Sequence, residues 1–392
     1  MDSGHPFDYS RNPLDFFHLE DNSKAENDWF LRNGARSMGE FIRRLRSSPK
    51  IRDAQIQVSD RRRNDQLGKD FVGFAAIRIK FKNGREVLTM GQSAGTASRA
   101  EALAIALAES LERLGCCIME HIQYTADDEA FLTRPLIAAL SSNGASFHSA
   151  PSKTLKGAFL ELLERDAFLT NWYSDSELPV TKIDHAHDLA GYKKIFHRMG
   201  WQLREHAWRH DRVKAFCVSL SVIREEPIRG QWNFVLGGGA AMTLREARSK
   251  ALVEALRGFR SLADFPPIDP SRKLRPADLR IAQSRRTLYQ GVDYIRLFLD
   301  RLGKERKFVS DEVDRRSDMD FISEWMRKLK STRVIPLILP SNIRNHTYCI
   351  KVTCDELQDC DWEIPPGFNR ERIRLRYGTA KNRVNLVPHP IE

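Results

Sequence analysis

Apolar residues recur along this chain with two periods. From residue 72 to 90 they alternate: Val72, Phe74 and Ala76, then Ile77, Ile79 and Phe81, and, after Lys82-Asn83-Gly84-Arg85, the run Val87–Met90. Alternation predicts strands, and an Asn-Gly between two such runs predicts a hairpin. Three later segments switch to the helical period: EALAIALAESLER (101–113), KTLKGAFLELLER (153–165) and REARSKALVEALR (245–257). Each places small or apolar residues on one face. Ser98 with Glu101, and Thr243 with Glu246, have capping-box spacing and mark helix starts. The glycine-containing stretch GQSAGTAS precedes the first helix. Ser142-Asn143-Gly144 and a looser start at Pro151-Ser152 precede the second. A strand over Trp232–Leu236 and then Gly237-Gly238-Gly239 precede the third. The pattern predicts a repeated strand, glycine loop and capped helix.

The same reading predicts helices over Ser37–Leu45, Tyr192–Met199, Ser284–Leu302 and Asp318–Leu329. It places strands near Trp201–Trp208, Val213–Val222, Val334–Leu339 and Tyr348–Val352, and a proline-rich turn over Pro266–Pro276. No clean linker appears. The expected class is α+β, a single body with helices packed on largely antiparallel sheet. Residues 1–64 are expected to form an amino-terminal arm and helix, and residues 65–392 the main domain with a proline-containing tail.

Composition narrows the function classes. The chain has 392 residues, 29% of them charged and 41% apolar, which is ordinary for a globular protein. No apolar run has the length of a membrane span, and MDSGHPFDYS is not a secretory signal, so a cytoplasmic protein without a membrane partner is expected. The six cysteines (Cys116, Cys117, Cys217, Cys349, Cys354 and Cys360) make no C-x-x-C pair; plain thiols are expected, not a zinc site. Net charge is +11, with basic runs at Arg61-Arg62-Arg63 and from Arg370 to Arg376. Aromatic residues do not interleave with these runs. They read as a solvated face, or as a docking surface for acidic partners or phosphates, in preference to a nucleic-acid site.

The candidate chemistry lies in the acids of the three helices. Glu109, Glu161 and Glu254 align; Glu112 and Glu164 follow the first two at i+3, and Arg113 and Arg165 at i+4. Residues three apart share a helix face, so each Glu pair can aim at one point. Taken singly, such a helix reads first as carrying an i,i+4 surface ion pair, Glu109–Arg113 or Glu161–Arg165. Occurring three times in one chain, the pattern points to an acidic pocket for magnesium and a polyphosphate, because magnesium takes oxygen ligands and shares them with phosphates. Gly237-Gly238-Gly239 could approach a phosphate or make a tight strand-to-helix turn. His148 and Ser149 lack a visible triad partner.

With these motifs in place the chain resembles the YcaO family, ATP-using enzymes that modify peptide backbones. The resemblance runs from about residue 70 to the end. It is carried by A-x-x-x-A-L-x-E-x-x-E-R ending at Arg113, by S-N-G-x-S at Ser142–Ser146 with E-L-L-E-R-D-A-F-L-x-x-W at Glu161–Trp172, and by the third helix with Lys250 and Glu254. It implies that ATP and Mg2+ lie among these helices. Glu109, Glu112, Glu161 and Glu164 match metal-holding carboxylates; Arg113, Ser146, Arg165, Lys250 and Glu254 match nucleotide-contacting positions. The sequence departs from the family at Ile105, Lys153, Gly157 and Arg257, which bears on the nucleotide contacts.

The tail, Val387-Pro388-His389-Pro390-Ile391-Glu392, is a shortened form of the proline-rich end of azoline-forming members. The resemblance therefore implies an ATP-dependent cyclodehydratase that makes thiazoline or oxazoline from Cys, Ser or Thr of a precursor peptide. His389 and Glu392 are candidates for proton transfer, against a tail that simply packs. The implied partners are the precursor peptide, an E1-like leader-peptide-binding protein and an FMN-dependent azoline dehydrogenase, in an oligomeric complex. The alternatives are thioamide or amidine formation, or a non-catalytic scaffold.

Overall fold

The alternating segment forms the expected hairpin, and the hairpin is longer than its apolar pattern. β2 (Gly68–Phe81) and β3 (Glu86–Thr96) pair antiparallel, with Ile77 opposite Thr89 and Ile79 opposite Val87. Gly84 supplies the left-handed φ of 85° that the turn needs. The glycine-containing stretch after Met90 continues β3 and is not a loop. Residues 51–65, expected within an arm, form β1 on the other side of β2. Its string of Arg, Asp, Asn and Gln hides the alternation, since most of the strand is exposed.

The computed structural model describes residues 43, 46–47, 49, 51–84, 86–96, 98–121, 143–148, 150–174, 177–183, 188–262, 290–308, 316–336 and 348–358. Most of the helix expected at Ser37–Leu45, the turn at Pro266–Pro276, and the tail with His389 and Glu392 lie outside these residues. The helices described are α1 (Arg99–His121), α2 (Pro151–Tyr173), α3 (Asp188–Arg198), α4 (Leu244–Ser261), α5 (Val292–Asp300) and α6 (Asp318–Lys328). The remaining strands are β4 (Ala145–His148), β5 (Leu178–Thr181), β6 (Trp201–Arg209), β7 (Phe216–Arg224), β8 (Phe234–Ala241), β9 (Leu302–Arg306), β10 (Thr332–Pro336) and β11 (Tyr348–Cys354). Short β4, β5 and β9 carry too few alternations to announce themselves in sequence.

The chain divides into two units. The first spans residues 1–64, 69–159 and 316–354; the second spans 65–68, 160–315 and 355–392. In the first, α1 lies on the β1-β2-β3 sheet, and glycines permit the approach. A side chain at Gly73 or Gly91 would overlap the carbonyl oxygen of Ala102 or Ala106, and backbone cannot step aside. Ala102, Ala106 and Ser110 are the fully buried helix residues over these glycines. A second sheet, β10-β11-β4, is antiparallel throughout, with Ile350 opposite Ser146. α2 begins in this unit, where Phe159 stacks on Trp325 of α6 at 4.4 Å between centroids and Lys156 pairs with Asp318 at 2.7 Å.

The second unit has a five-stranded sheet ordered β8-β7-β6-β5-β9. All its pairings are antiparallel except β5 with β9. α3 and α4 cover one face with Phe196, Ala247, Ala251 and Ala255 over Leu203, Val218 and Leu220. On the other face Phe168 and Trp172 of α2 meet Trp208 and Phe298. Covered on both sides, β7 is buried over Phe216–Ile223, which is why FCVSLSVI reads as a nearly continuous apolar run. The tip of the β1–β2 hairpin belongs to this unit: Leu67 joins its core and Asp65 holds Arg260 through two 3.0 Å bonds. The fold is α+β, with helices on largely antiparallel sheets.

Candidate active site

The three glycines expected to form a loop before the third helix lie inside β8, an edge strand. Successive residues of a strand face opposite sides. A Cβ on Gly237 or Gly239 would strike the α4 backbone at Ala251 or Ala247, while one on Gly238 would strike the Glu164 carboxylate of α2. The bare strand therefore admits α4 on one face and an acidic side chain on the other. Thr243 caps α4, its hydroxyl accepting the Glu246 N–H at 3.2 Å. From α4, the Glu254 carboxylate accepts the Gly238 N–H through a short bond, and Lys250 Nζ donates to Ala240 O at 3.1 Å.

Glu161, Glu164, Arg165, Lys250 and Glu254 are thus brought together around Gly238 in the second unit. Arg165 lies 3.8 Å from Glu161 and 4.0 Å from Glu164. Arg257, a departure from the family pattern, lies 3.6 Å from Glu254 and brings a further cation to that acid. The Glu164 side chain keeps only 13% of its surface. Desolvation pushes its carboxyl up to about 8; Arg165 and Lys250 oppose the rise, and Glu254 and Glu161 add to it. Acids packed this closely need a cation or a proton between them.

The first unit repeats the arrangement. Glu109 Oε2 accepts the Gln92 N–H at 2.7 Å, one residue after Gly91, and Arg113 donates to Met90 O at 2.6 Å while pairing with Glu109 at 2.6 Å. β3, like β8, is an edge strand. In each unit a glutamate and a cation one helical turn apart cover an N–H and a C=O that a further strand would otherwise use. The aligned positions Glu109 and Glu254 are therefore equivalent in three dimensions. Glu112 lies near Cys349; burial first, then Glu112, holds that thiol well above its ordinary value. Ser146 on β4 sits beneath Gly157, where an added Cβ would lie 2.6 Å from its hydroxyl oxygen. Gly157, another departure, is the room that Ser146 occupies. Ile105 is 44% exposed. His148 accepts the Ala150 N–H at 3.0 Å, a turn-forming role. Cys116, Cys217, Cys349 and Cys354 are buried and form no disulfide.

One cluster was not visible in the sequence. Asp166, His210 and Asp211 offer atoms within 4.8 Å of one another. Asp166 is sequence-adjacent to Arg165, but its partners come from far along the chain, so no local spacing marks them.

Residues 119–332 match the YcaO cyclodehydratase family, described as ATP- and Mg2+-binding, over more than half of the chain. The chain belongs to the YcaO family. No curated protein matches it. Among solved structures this YcaO chain resembles a heterocyclase in complex with substrate and cofactor, at 14% identity and a TM-score of 0.60. That likeness covers 85% of this chain and 55% of the heterocyclase, so the chain spans about half of that protein's length. It also resembles YcaO from Methanopyrus kandleri bound with AMPPCP and Mg2+, at 15% identity and a TM-score of 0.54, over 93% of this chain and 96% of that one. A third likeness is to a chain of the E. coli microcin synthetase McbBCD complex, at 12% identity and a TM-score of 0.53, over 78% and 89% of the two chains. At such identities these likenesses speak for the shared fold.

The residues present suit the family's ligands. Three carboxylates, one of them driven toward its protonated form, supply oxygen donors for a divalent cation. The space over Gly238 that any Cβ would fill keeps the Glu164 carboxylate beside the strand. Arg165, Lys250 and Arg257 are the cations beside these acids, of a type that phosphate oxygens can accept from.

Proposed function

We propose that this YcaO protein catalyses ATP-dependent cyclodehydration of Cys, Ser or Thr residues in a ribosomally made precursor peptide, giving thiazolines or oxazolines in the cytoplasm. The observation that carries the reading is the gathering of Glu161, Glu164 and Glu254 with Arg165 and Lys250 around Gly238. In this reading the peptide's thiol or hydroxyl attacks the preceding backbone carbonyl. The tetrahedral adduct's oxygen takes the γ-phosphoryl group of ATP, and loss of phosphate closes the C=N bond. Expelling an amide oxygen unaided is slow; phosphorylation makes it a good leaving group. Magnesium, when bound, would neutralise phosphate charge beside Glu161, Glu164 and Glu254; Glu109 and Glu112 are metal-holding candidates by the family resemblance alone. Arg165 and Lys250 would orient the phosphates, while Arg113 and Ser146 are nucleotide-contacting candidates by the family resemblance alone. His389 and Glu392 are the proposed proton-transfer groups of the tail.

The partners proposed are an E1-like leader-peptide-binding protein and an FMN-dependent azoline dehydrogenase. A microcin synthetase complex among the similar structures supports work within an assembly. The test incubates the protein with its candidate partners, the precursor peptide, Mg2+ and ATP, and follows peptide mass. Loss of about one water mass per ring is expected, and Glu161→Gln and Glu109→Gln should abolish it. Exchange of oxygen for sulfur would replace this reading with thioamide formation. Full activity in both variants would remove the acids from the chemistry.

A further inference from the structure

The Asp166 cluster lies on α2, next to the proposed ATP-binding residues, and none of the chemistry above uses it. The side chains of Asp166 and His210 are wholly inaccessible. Asp166 Oδ2 accepts from His210 Nε2 at 2.9 Å, and Oδ1 accepts the Gln358 N–H at 2.7 Å and the Thr170 hydroxyl at 3.2 Å. His210 Nδ1 accepts the N–H groups of Arg212 and Val213, both at 3.3 Å. That fixes the tautomer: Nδ1 is the acceptor, so Nε2 carries the proton given to Asp166. His210 Nδ1 and both Asp166 oxygens already accept hydrogen bonds. Asp166 and His210 thus form a buried hydrogen-bonded node.

Two of its connections come from other parts of the second unit, and the third, Thr170, lies one turn along α2. His210 directly follows β6, and its turn is closed by His210 N–H to Ala215 O at 2.9 Å. Gln358 lies four residues beyond the end of β11, where the chain sets out toward the tail. The segment there is held twice more, by Arg212 to Glu356 at 3.1 Å and by buried Leu357. Along a helix, residues 164 and 166 point about 200° apart. A pin at Asp166 therefore fixes the rotation of the opposite face, which presents Glu164 to β8. A buried carboxylate with donors from three directions is well suited to this, because each bond is strengthened by low surrounding polarity and each is costly to lose.

We propose that Asp166 is a positioning residue: it sets the rotation of the α2 turn bearing Glu161, Glu164 and Arg165, and it ties residues 355–358 to that turn. This rests on the reading of α2 as the helix that holds Mg2+ and ATP. The test uses the full-length chain and Mg2+ with a non-hydrolysable ATP analogue. Calorimetry gives Kd separately from the binding-competent fraction, and hydrogen exchange follows the peptide containing residues 355–358. In Asp166→Asn an amide group must face either His210 Nε2–H or Gln358 N–H. Analogue Kd is expected to rise about tenfold, with faster exchange at 355–358, as loss of one charge-assisted bond implies. A purely structural role would lower the competent fraction and leave Kd within twofold, and that result overturns the proposal. So does unchanged exchange at 355–358. If Asp166→Asn does not fold, His210→Gln, which keeps a donor toward Asp166, should show both effects at smaller size; Kd and exchange both unmoved in it would overturn the idea. Glu164→Gln serves as the control. Unaltered analogue binding in Glu164→Gln refutes the α2 reading itself, whatever Asp166→Asn shows.

Discussion

Gly238→Ala is the sharpest perturbation of the acidic cluster. The new Cβ would overlap Glu164 Oε1 and lie 2.6 Å from its Cδ and 3.3 Å from its Cγ. Backbone at Gly238 cannot retreat, since Gly237 and Gly239 already rest against α4. Glu164 must therefore swing away. Overpacking of this kind costs about 1–3 kcal/mol of stability. The low end is expected, because a displaced Glu164 escapes the site that disfavours its charge. The functional loss should be larger. Moving one carboxylate off a metal–phosphate site removes a charge-assisted contact of about 1.5–3 kcal/mol, or roughly 10–150-fold in kcat/KM for ATP. Urea unfolding and ATP turnover measured side by side separate the two effects. Glu164→Asp, one methylene shorter, should restore part of the lost turnover when added to Gly238→Ala. Turnover of Gly238→Ala within twofold of the parent would refute the claim that the missing Cβ holds Glu164 in place.

Two further outcomes follow from buried charge. In metal-free protein Glu164 keeps its proton up to about pH 8, against an ordinary value of 4.5, so folding takes up a proton between those limits. Stability should fall as pH rises from 4.5 to 8 and level off above; urea midpoints across that range should show the slope, and Glu164→Gln should flatten it. The second concerns Glu205, whose inaccessible carboxylate is held by Arg248 through bonds of 2.7 and 3.0 Å. Arg248→Ala should cost about 3–5 kcal/mol by stranding that charge, while the paired change to Arg248→Met with Glu205→Leu should recover most of it in the same assay. Equal losses in the single and double variants would contradict this.

The helices were legible because their signals are local. The capping residues Ser98 and Thr243 accept the N–H groups of Glu101 and Glu246 as the sequence pattern implies. Small and apolar residues at helical spacing marked one face of each helix, and the acids on those helices marked the candidate site. The glycines misled because their reason is not local. Gly91, Gly237 and Gly239 remove side chains to let a helix backbone approach, and that helix lies elsewhere in the chain. A run of glycine after a short apolar stretch looks like a loop unless the partner is known.

Sequence alone determined the secondary-structure periods, the family and the residue types that could hold magnesium and phosphate, since these depend on neighbours within one or two helical turns. Tertiary structure decided which strands those helices lie on. It turned the glycine loops into edge strands with their N–H and C=O groups covered by Glu254 with Lys250 and by Glu109 with Arg113. It also joined Asp166 to His210 and Gln358, residues 44 and 192 positions away. Contacts at such separations depend on how the whole chain is closed, and no periodicity along the sequence encodes them.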